Sequence, residues 1–236
     1  MKNIYVWRIF LFALCISSMP AIAQETLVPK VTQWVKDNNK KLRLQSNDLV
    51  EMKVSSASSK DKLTFAYIQQ YYLGLKVHNA IYSICFDSKG GIVSNSSRFV
   101  DKINTKATSA IPSISAMTAV AKAAAYLKLN DPVSLTVLPD QRDTATYLVF
   151  TPAGIAKQNI LAELLWVTTN DGKTIQLAWN ITIDVLHSSD YMNVRVNALN
   201  GQIINADNST LYEKNNSVRK NRAYQTPIKT SPLLNN

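Results

Sequence analysis

The sequence is poor in the residue types from which most catalytic and metal sites are built. Its 236 residues include two histidines and two cysteines. His78 and His187 lie far apart and neither has a second histidine at helical spacing, so the chain has no His-Glu-x-x-His zinc motif. It also has no Gly-x-Ser-x-Gly nucleophile elbow, no phosphate-binding Gly-x-x-x-x-Gly-Lys and no Cys-x-x-Cys. We therefore expect a non-catalytic protein without a metal or a cofactor, and an enzyme of unfamiliar type is the less favoured alternative.

Long hydrophobic runs are also scarce, and the N-terminal one is too short to span a membrane. It covers residues 9–16 and follows Lys2 and Arg8. A spanning helix needs about 20 continuous apolar residues, whereas two serines and a proline interrupt this run. The small-x-small sequence at 21–23 completes the pattern of a cleavable signal peptide over residues 1–23. We therefore predict a secreted or periplasmic protein with no membrane association after cleavage.

Cysteine is too scarce for a disulfide framework. Cys15 lies in the predicted signal peptide, so Cys85 is the one cysteine of the mature chain and no internal disulfide can form. Cys85 falls in the apolar run 81–86, which predicts a buried small hydrophobic side chain. A dyad with His78 is disfavoured because residues seven apart on a strand point to opposite faces.

Positive charge is present in excess, but its distribution does not indicate nucleic-acid binding. Without Lys2 and Arg8, 24 of the 26 basic residues remain against 16 acidic residues, a net charge of +8. The basic residues are scattered and are not interleaved with stacking aromatics on one element. Five of them, with one acidic residue, lie in residues 209–236. We predict that this segment is a basic mobile tail.

The first half of the mature chain has the pattern of one helix followed by an antiparallel meander. Val31, Trp34, Val35 and Leu42 recur on one side of an otherwise polar segment, which predicts an amphipathic helix near 28–41. In the strand 63–72, Phe65, Tyr67 and Tyr71 share one face, and Ala66, Ile68 and Tyr72 share the other. The remaining predictions are strands at 51–56, 77–86 and 92–99, a turn at 73–75 and a glycine hairpin at 87–91.

The second half repeats this order of a helix and then strands. After a polar connector at 101–112, Ser115 has the position and side chain of a helix N-cap. The helix that it opens has a predicted apolar stripe of Met117, Val120, Ala124 and Leu127. Asp131-Pro132 is predicted to end this helix. Strands are predicted at 147–151, 162–168, 175–184, 191–196 and 202–205, with turns at 170–173, 187–190 and 200–201. The sequence therefore predicts an α+β fold of two successive units, each with a helix packed on an antiparallel sheet.

Two sequence words resemble the propeptide region of fungalysin- and thermolysin-type zinc metallopeptidase precursors. The word Gln69-Gln70-Tyr71-Tyr72-x-Gly74-x-x-Val77-x-Asn79-Ala80 resembles the fungalysin/thermolysin propeptide (FTP) module. Leu177-Ala178-Trp179, followed by Tyr191-x-Asn193-Val194-x-Val196-Asn197-Ala198-x-x-Gly201-x-Ile203, resembles the PepSY module. With the flanking helices, the resemblance assigns 24–104 to an FTP module and 105–208 to a helix plus a PepSY-like module.

The resemblance implies a fold, a partner and a set of site residues. Such modules are cystatin-like, and they act as folding assistant and inhibitor of the zinc peptidase to which they are linked. It implies a fungalysin-like zinc metallopeptidase catalytic domain as the partner, in cis or in trans. Candidate protease-contact residues are Gln70, Tyr72, Gly74, Val77 and Asn79. An equally weighted alternative is that Gly74 and its neighbours serve the hairpin itself.

Other positions of the resemblance have structural roles or depart from the family pattern. Trp179 and Gly201 are expected to be structural residues of the second unit. The chain has Asn197-Ala198-Leu199-Asn200-Gly201 where the family usually has Asp-Ala-His-Thr-Gly, so contacts through that acid and histidine are not expected here. The runner-up function is a secreted non-catalytic module that keeps the propeptide fold but binds an extracellular or envelope ligand.

Overall fold

The computed structural model describes residues 20–42, 44–49, 51–107, 109–140, 142, 144–168 and 174–210. The predicted signal peptide lies outside them up to residue 19, as do the tail beyond residue 210 and the predicted turn at 170–173. The chain has a mixed α+β fold with few helices and a large, mostly antiparallel sheet. The helices are α1 Pro20–Asp37, α2 Ile103–Lys106, α3 Ala116–Tyr126 and a 3₁₀ helix Ser46–Leu49. The strands are β1 Met52–Lys60, β2 Leu63–Tyr72, β3 Leu75–Asp87, β4 Ile92–Ser97, β5 Val137–Leu138, β6 Tyr147–Phe150, β7 Ile160–Thr168, β8 Ile175–Asp184, β9 Tyr191–Asn197 and β10 Ile203–Asn208.

The ten strands form one sheet in the order β1-β2-β3-β7-β8-β9-β10, with β4 on β3, and with β5 and β6 beyond β7. The pairs are antiparallel except for β3 and β7, which run parallel where Val77 lies opposite Trp166. This pair joins the two halves of the chain. Its formation was not predicted from the sequence, which indicated separate sheets.

The first core lies between α1 and the strands β1–β3. Val31 and Val35 of α1 are fully buried against Ala66, Ile68 and the β3 side chains Tyr82 and Ile84. The helix ends at Asp37, four residues before its predicted end. Leu42 is buried as predicted, but it follows the helix in a turn.

The second core lies between α3 and the strands β7–β9. Ser115 caps α3 as predicted, because its Oγ accepts a hydrogen bond from the Thr118 amide at 3.1 Å. The buried stripe consists mainly of small residues, Ala116, Ala119, Val120, Ala123 and Ala124. The prediction that Met117 belongs to this stripe was wrong, since its side chain is 46% exposed. Alanines allow the helix to approach the sheet closely, and methionine at 117 falls on the solvent side.

Both helices lie on the same face of the sheet. Ala80, Tyr82 and Ile84 alternate along one side of β3, and Ala80 belongs to the second core whereas the other two belong to the first. The opposite face of the sheet is therefore free of these helices. No helix among the described residues is long and apolar enough to cross a membrane.

Candidate functional site

The word that resembles the FTP module builds the joint between the two cores. Gln70 is fully buried, and its side-chain amide forms two hydrogen bonds with the backbone of Val100. Its Nε2 donates to the Val100 carbonyl at 2.9 Å, and its Oε1 accepts from the Val100 amide at 2.8 Å. The amide of Gln70 thus pairs with Val100 as a strand backbone would, and it fixes the segment that follows β4.

Gln69 holds an irregular stretch of β3 in place. Between the pairs Gln69–Ile81 and Tyr71–Lys76, β2 advances by two residues while β3 advances by five. The extra residues of β3 form a bulge in which Asn79 has a φ of 58°, a conformation that asparagine tolerates better than most residues. Gln69 Nε2 lies 2.7 Å from the Val77 carbonyl and 3.1 Å from the Ala80 carbonyl. It therefore satisfies carbonyl groups that the bulge removes from the ladder.

The hairpin between β2 and β3 uses the expected glycine. Leu73 and Gly74 have φ values of 49° and 75°, and Tyr72 pairs with Leu75, so the turn has two central residues with positive φ. The Gly74 amide donates to Glu51 Oε2 at 2.6 Å. A side chain at position 74 would have space but would be strained by the positive φ.

The structure separates the five candidate protease-contact residues into two groups. Gln70 and Val77 are both 0% exposed, so their side chains offer no surface to a partner in this fold. Gln70 on β2 and Val77 on β3 are buried because the side chains of both face the core. Gly74 and Asn79 are exposed, and Tyr72 is half-buried with its ring centre 5.9 Å from that of Trp166. A partner could reach these three through the hairpin and the bulge.

Trp179 and Gly201, the residues expected to be structural, lie in the second core and in the β9–β10 turn. Trp179 is 3% exposed and its Nε1 donates to the Ile114 carbonyl at 3.0 Å, just before α3. Gly201 is buried in the β9–β10 turn with a φ of 76°. A Cβ atom there would lie 3.6 Å from the Lys122 side chain, an ordinary contact, so the positive φ is what favours glycine.

Asn197, which stands where the family pattern has an acid, closes the same turn. Its Oδ1 accepts hydrogen bonds from the amides of Leu199 at 2.8 Å and Asn200 at 3.2 Å. Its Nδ2 donates to Gln176 Oε1 at 3.1 Å. An aspartate could accept the two turn bonds but could not donate the third. The residue at 197 is therefore a turn residue of this fold, and its side chain is only 8% exposed.

A polar row crosses the sheet face opposite the helices. Glu163, Asn180 and Arg195 lie directly opposite one another on β7, β8 and β9. Arg195 is 5% exposed, forms an ion pair with Asp207 and donates from Nη1 to Asn205 Oδ1 at 3.0 Å. Two buried atoms of the row, Asn180 Oδ1 and Arg195 Nε, have no hydrogen-bond partner among the described residues. The row is not recognisable from the sequence, because its members are far apart in the chain.

His78 on β3 is held neutral at physiological pH. Burial first, and then the charges of Arg195 and Lys76, together lower its pKa from 6.5 to about 4 against the opposing charge of Asp207. Burial alone would raise the pKa of Asp207, but its hydrogen bond and charge interaction with Arg195 hold that pKa below its ordinary value. The expectation of a partly exposed His78 agrees with its half-buried position.

We expect His78 to make the protein less stable as the pH falls from about 6.5 to about 4. In this range the unfolded chain binds a proton at His78 but the folded chain does not, so unfolding is favoured, and the full stability is present above pH 6.5. Because the ring is partly solvated, we expect a loss of about 1–2 kcal/mol. Urea unfolding at pH 7 and pH 4.5 should show this loss, and His78→Gln should remove it.

The control for this experiment is His187→Asn, which removes the other histidine from an exposed turn. This variant should keep the pH dependence of the parent chain. A His78→Gln variant that loses as much stability as the parent between pH 7 and pH 4.5 would contradict the prediction. The carboxyl groups of Asp87 and Asp207 have lowered pKa values, so the stability that they contribute is lost mainly as the pH falls below about 4.

The described residues contain no group of three or more His, Cys, Asp or Glu side chains that could hold a metal ion. Cys85 is 5% exposed and is a free thiol, in agreement with the expected buried side chain. His78 and Cys85 are on the same strand, β3.

Comparisons with known proteins show low similarity. No family model and no curated protein matches the chain. The chain is similar to the C-terminal domain of YpeB from Bacillus megaterium, with 13% identity and a TM-score of 0.34 over 75% of this chain and 64% of that one. It is also similar to the candidate lipoprotein CD1622 from Clostridium difficile 630, with 10% identity and a TM-score of 0.23 over 77% of this chain and 93% of that one. The chain thus spans about two thirds of the YpeB domain, and neither similarity carries a functional argument.

Proposed function

We propose that the chain is a secreted, non-catalytic propeptide-type module that inhibits a fungalysin-like zinc metallopeptidase and assists its folding. It acts either as a stand-alone protein or as the N-terminal part of such a precursor. In this proposal each half of the chain is a cystatin-like unit, with α1 on the first set of strands and α3 on the second. The observation that carries the proposal is the role of the FTP-like word, whose two glutamines hold the bulge of β3 and the segment after β4 in place.

The geometry supports this proposal because the buried residues of the FTP-like word support the backbone from which its exposed residues project. Gln69 and Gln70 satisfy backbone groups of Ala80 and Val100, which no residue without a donor and an acceptor could do together. The hairpin and the bulge that these residues support project Gly74 and Asn79 to the surface. A rigid sheet with such projections can bind an enzyme cleft without chemistry of its own.

The proposal predicts that the purified chain inhibits a fungalysin-type catalytic domain added in trans. A tether raises the effective concentration, so the untethered chain should bind about 10²–10⁴ times more weakly than a linked propeptide. The measurement is the inhibition constant for casein cleavage, compared with that of the same two parts expressed as one chain. The chain alone should leave casein intact. If the two parts expressed as one chain are inhibited but the untethered chain does not inhibit even at concentrations that allow for the loss of the tether, the proposal is contradicted.

Two variants test whether the folded modules, and not the tail, make the contact with the enzyme. Deletion of residues 211–236, which removes the basic tail beyond the described residues, should weaken inhibition mainly at low salt, because exposed charges speed encounter more than they hold a complex. Asn79→Gly changes the exposed bulge and keeps its positive φ, so it should leave the fold intact and weaken inhibition if the bulge is in the contact. Inhibition by the tail peptide alone would exclude a module-based mechanism.

A second candidate function is a binding module for an extracellular or envelope ligand, and the polar row on the sheet face opposite the helices favours it. Arg195 Nε and Asn180 Oδ1 are a buried donor and a buried acceptor without partners on neighbouring strands. Such atoms are rare in folded proteins unless a water or a ligand satisfies them. Arg195→Lys would impair this function, whereas inhibition through the hairpin and bulge would persist in the same folded variant.

A further inference from the structure

The second half of the edge strand β4 lacks the features that usually prevent strand addition. All six residues of β4 are exposed, and among the described residues it pairs with β3 alone. Its sequence Ile-Val-Ser-Asn-Ser-Ser contains no charge and no proline. Its register irregularity against β3 lies at its start, between the pairs Phe86–Ile92 and Cys85–Ser94. By contrast β1 carries Lys53 and Lys60, and β10 carries Asp207. Charges, bulges and prolines protect edges, so residues 94–97 of β4 are an open edge of the sheet.

The hydrogen-bond phase of β4 shows which of its backbone groups point away from β3. The Arg98 amide donates to the Ile81 carbonyl at 3.0 Å, so the pair Arg98–Ile81 is a hydrogen-bonded one. In an antiparallel ladder these pairs alternate, so Ser96 bonds toward β3 while Asn95 and Ser97 direct their amides and carbonyls outward. An added strand would bond to Asn95 and Ser97.

Hollows border β4 on both faces of the sheet. On the face without helices, a hollow of about 280 Å³ lies beside Ser94 and Ser96 and is floored by Phe65 and Tyr67, which are 38% and 48% exposed. On the helix face, a hollow of about 550 Å³ lies beside Asn95 and Ser97. Its further lining residues include Leu42, Leu44, Phe99, Lys41 and Asp101. Successive side chains of an added strand would lie alternately on the two faces, next to the β4 side chains that border these hollows.

The surroundings of β4 are basic. Five exposed cationic residues flank the strand and the second hollow, namely Lys40, Lys41, Lys89, Arg98 and Lys102. The nearby acids are already engaged. Asp87 Oδ1 accepts the Lys89 and Gly91 amides, each at 2.8 Å, and Asp101 forms an ion pair with Lys106 at 2.8 Å. The local field therefore favours a negatively charged partner.

We propose that the β4 edge binds an extended acidic peptide segment of a partner protein as an additional strand. Its backbone pairs with Asn95 and Ser97, its apolar side chains lie on the face without helices, beside Ser94 and Ser96, and its acidic side chains lie on the helix face, on the side of Lys41. Main-chain hydrogen bonds supply affinity, and the two hollows and the basic surroundings supply selectivity. This assignment goes beyond inhibition of a peptidase, because it does not depend on which protein supplies the segment.

Fluorescence anisotropy with the full chain and two labelled peptides tests this assignment. The probe is acetyl-(Leu-Glu)₄-amide, and its control is acetyl-(Leu-Lys)₄-amide, which has the same length and alternation but the opposite charge. We expect saturable binding of the acidic peptide that weakens as salt is raised, and no saturable binding of the basic peptide. Lys41→Glu should weaken binding of the acidic peptide about threefold. Equal binding of both peptides would overturn the assignment.

A proline at position 95 tests the strand-addition geometry itself. Asn95→Pro removes an outward amide but no ladder bond, and Asn95→Ala removes the same side chain, including its contact with the Tyr82 hydroxyl, while keeping the amide. We expect about tenfold weaker peptide binding for the proline variant than for the alanine variant. Ser97→Pro and Ser97→Ala provide an independent pair should melting show that the first proline variant is unfolded. Equal affinities within a folded pair would overturn the assignment.

Discussion

Trp179→Ala is expected to lower the free energy of unfolding by about 3–5 kcal/mol. The indole is 3% exposed, in the centre of the second core, and truncation would leave a cavity among residues of β8, β9 and α3. The change also removes the hydrogen bond from Nε1 to the Ile114 carbonyl. Ile114 precedes the Ser115 cap, so the same change loosens the start of α3 from the sheet. The measurement is urea unfolding, where the midpoint should fall.

Two matched variants separate the causes of this loss. Trp179→Phe keeps most of the ring volume but lacks the N–H, so it should cost about 1–2 kcal/mol. Met117→Ala removes a large side chain from the exposed side of α3 and should change stability by less than about 0.5 kcal/mol. If Trp179→Ala unfolds at the midpoint of the parent chain, the placement of β8 in the core is incorrect.

The parts of the fold that were predicted well depend on local chemistry. Strands β2 and β8 have the predicted bounds, because alternation and flanking turns determine them. The hairpin at Asp87 formed as expected, since the Asp87 carboxylate and the positive φ of Gly90 create it within five residues. The Ser115 cap was found for the same reason, because a cap needs only the residues next to it.

The joint between the halves could not be predicted, because its partners are far apart in sequence. Val77 pairs in parallel with Trp166, and Trp166 Nε1 donates to the Tyr72 carbonyl at 2.9 Å. Nothing near Trp166 in the sequence indicates a parallel neighbour 89 positions earlier. The same holds for the polar row, where Glu163, Asn180 and Arg195 lie opposite one another on three strands. Alternation along a strand states which face a residue occupies but not which residues of other strands lie beside it.

The burial of Gln70, in contrast, was present in the pattern, although the resemblance made Gln70 a candidate contact residue. Alternation places Gln70 on the same face of β2 as Ala66 and Ile68, which are buried. A buried glutamine must find a partner for each of its polar atoms, and a free backbone segment is one that supplies both. Residues of a recognisable word therefore need not lie on a binding surface, since a word can equally record how the chain satisfies its own backbone.

Gln70→Leu distinguishes these two interpretations and is expected to cost about 2–5 kcal/mol. Leucine fills nearly the same volume, so the loss comes from the amide and carbonyl of Val100, which is only 7% exposed and would have no partner. The control is Gln33→Leu, the same change at an exposed helical site, which should cost less than about 0.5 kcal/mol. Urea unfolding gives the two costs, and hydrogen exchange should show faster exchange of the Val100 amide in the first variant alone.

Gln70→Leu and the exposed change Asn79→Gly together decide what a loss of inhibition would mean. If Gln70 stabilises the fold, inhibition by Gln70→Leu should be recovered at low temperature in proportion to the folded fraction, whereas an exposed change such as Asn79→Gly would weaken inhibition in a fully folded chain. If Gln70→Leu is as stable as the parent chain and still fails to inhibit, its side chain contacts the partner directly, and the burial of Gln70 in this fold would be contradicted. The change in the free energy of unfolding that Gln70→Leu causes thus indicates which residues of the word are available for contact.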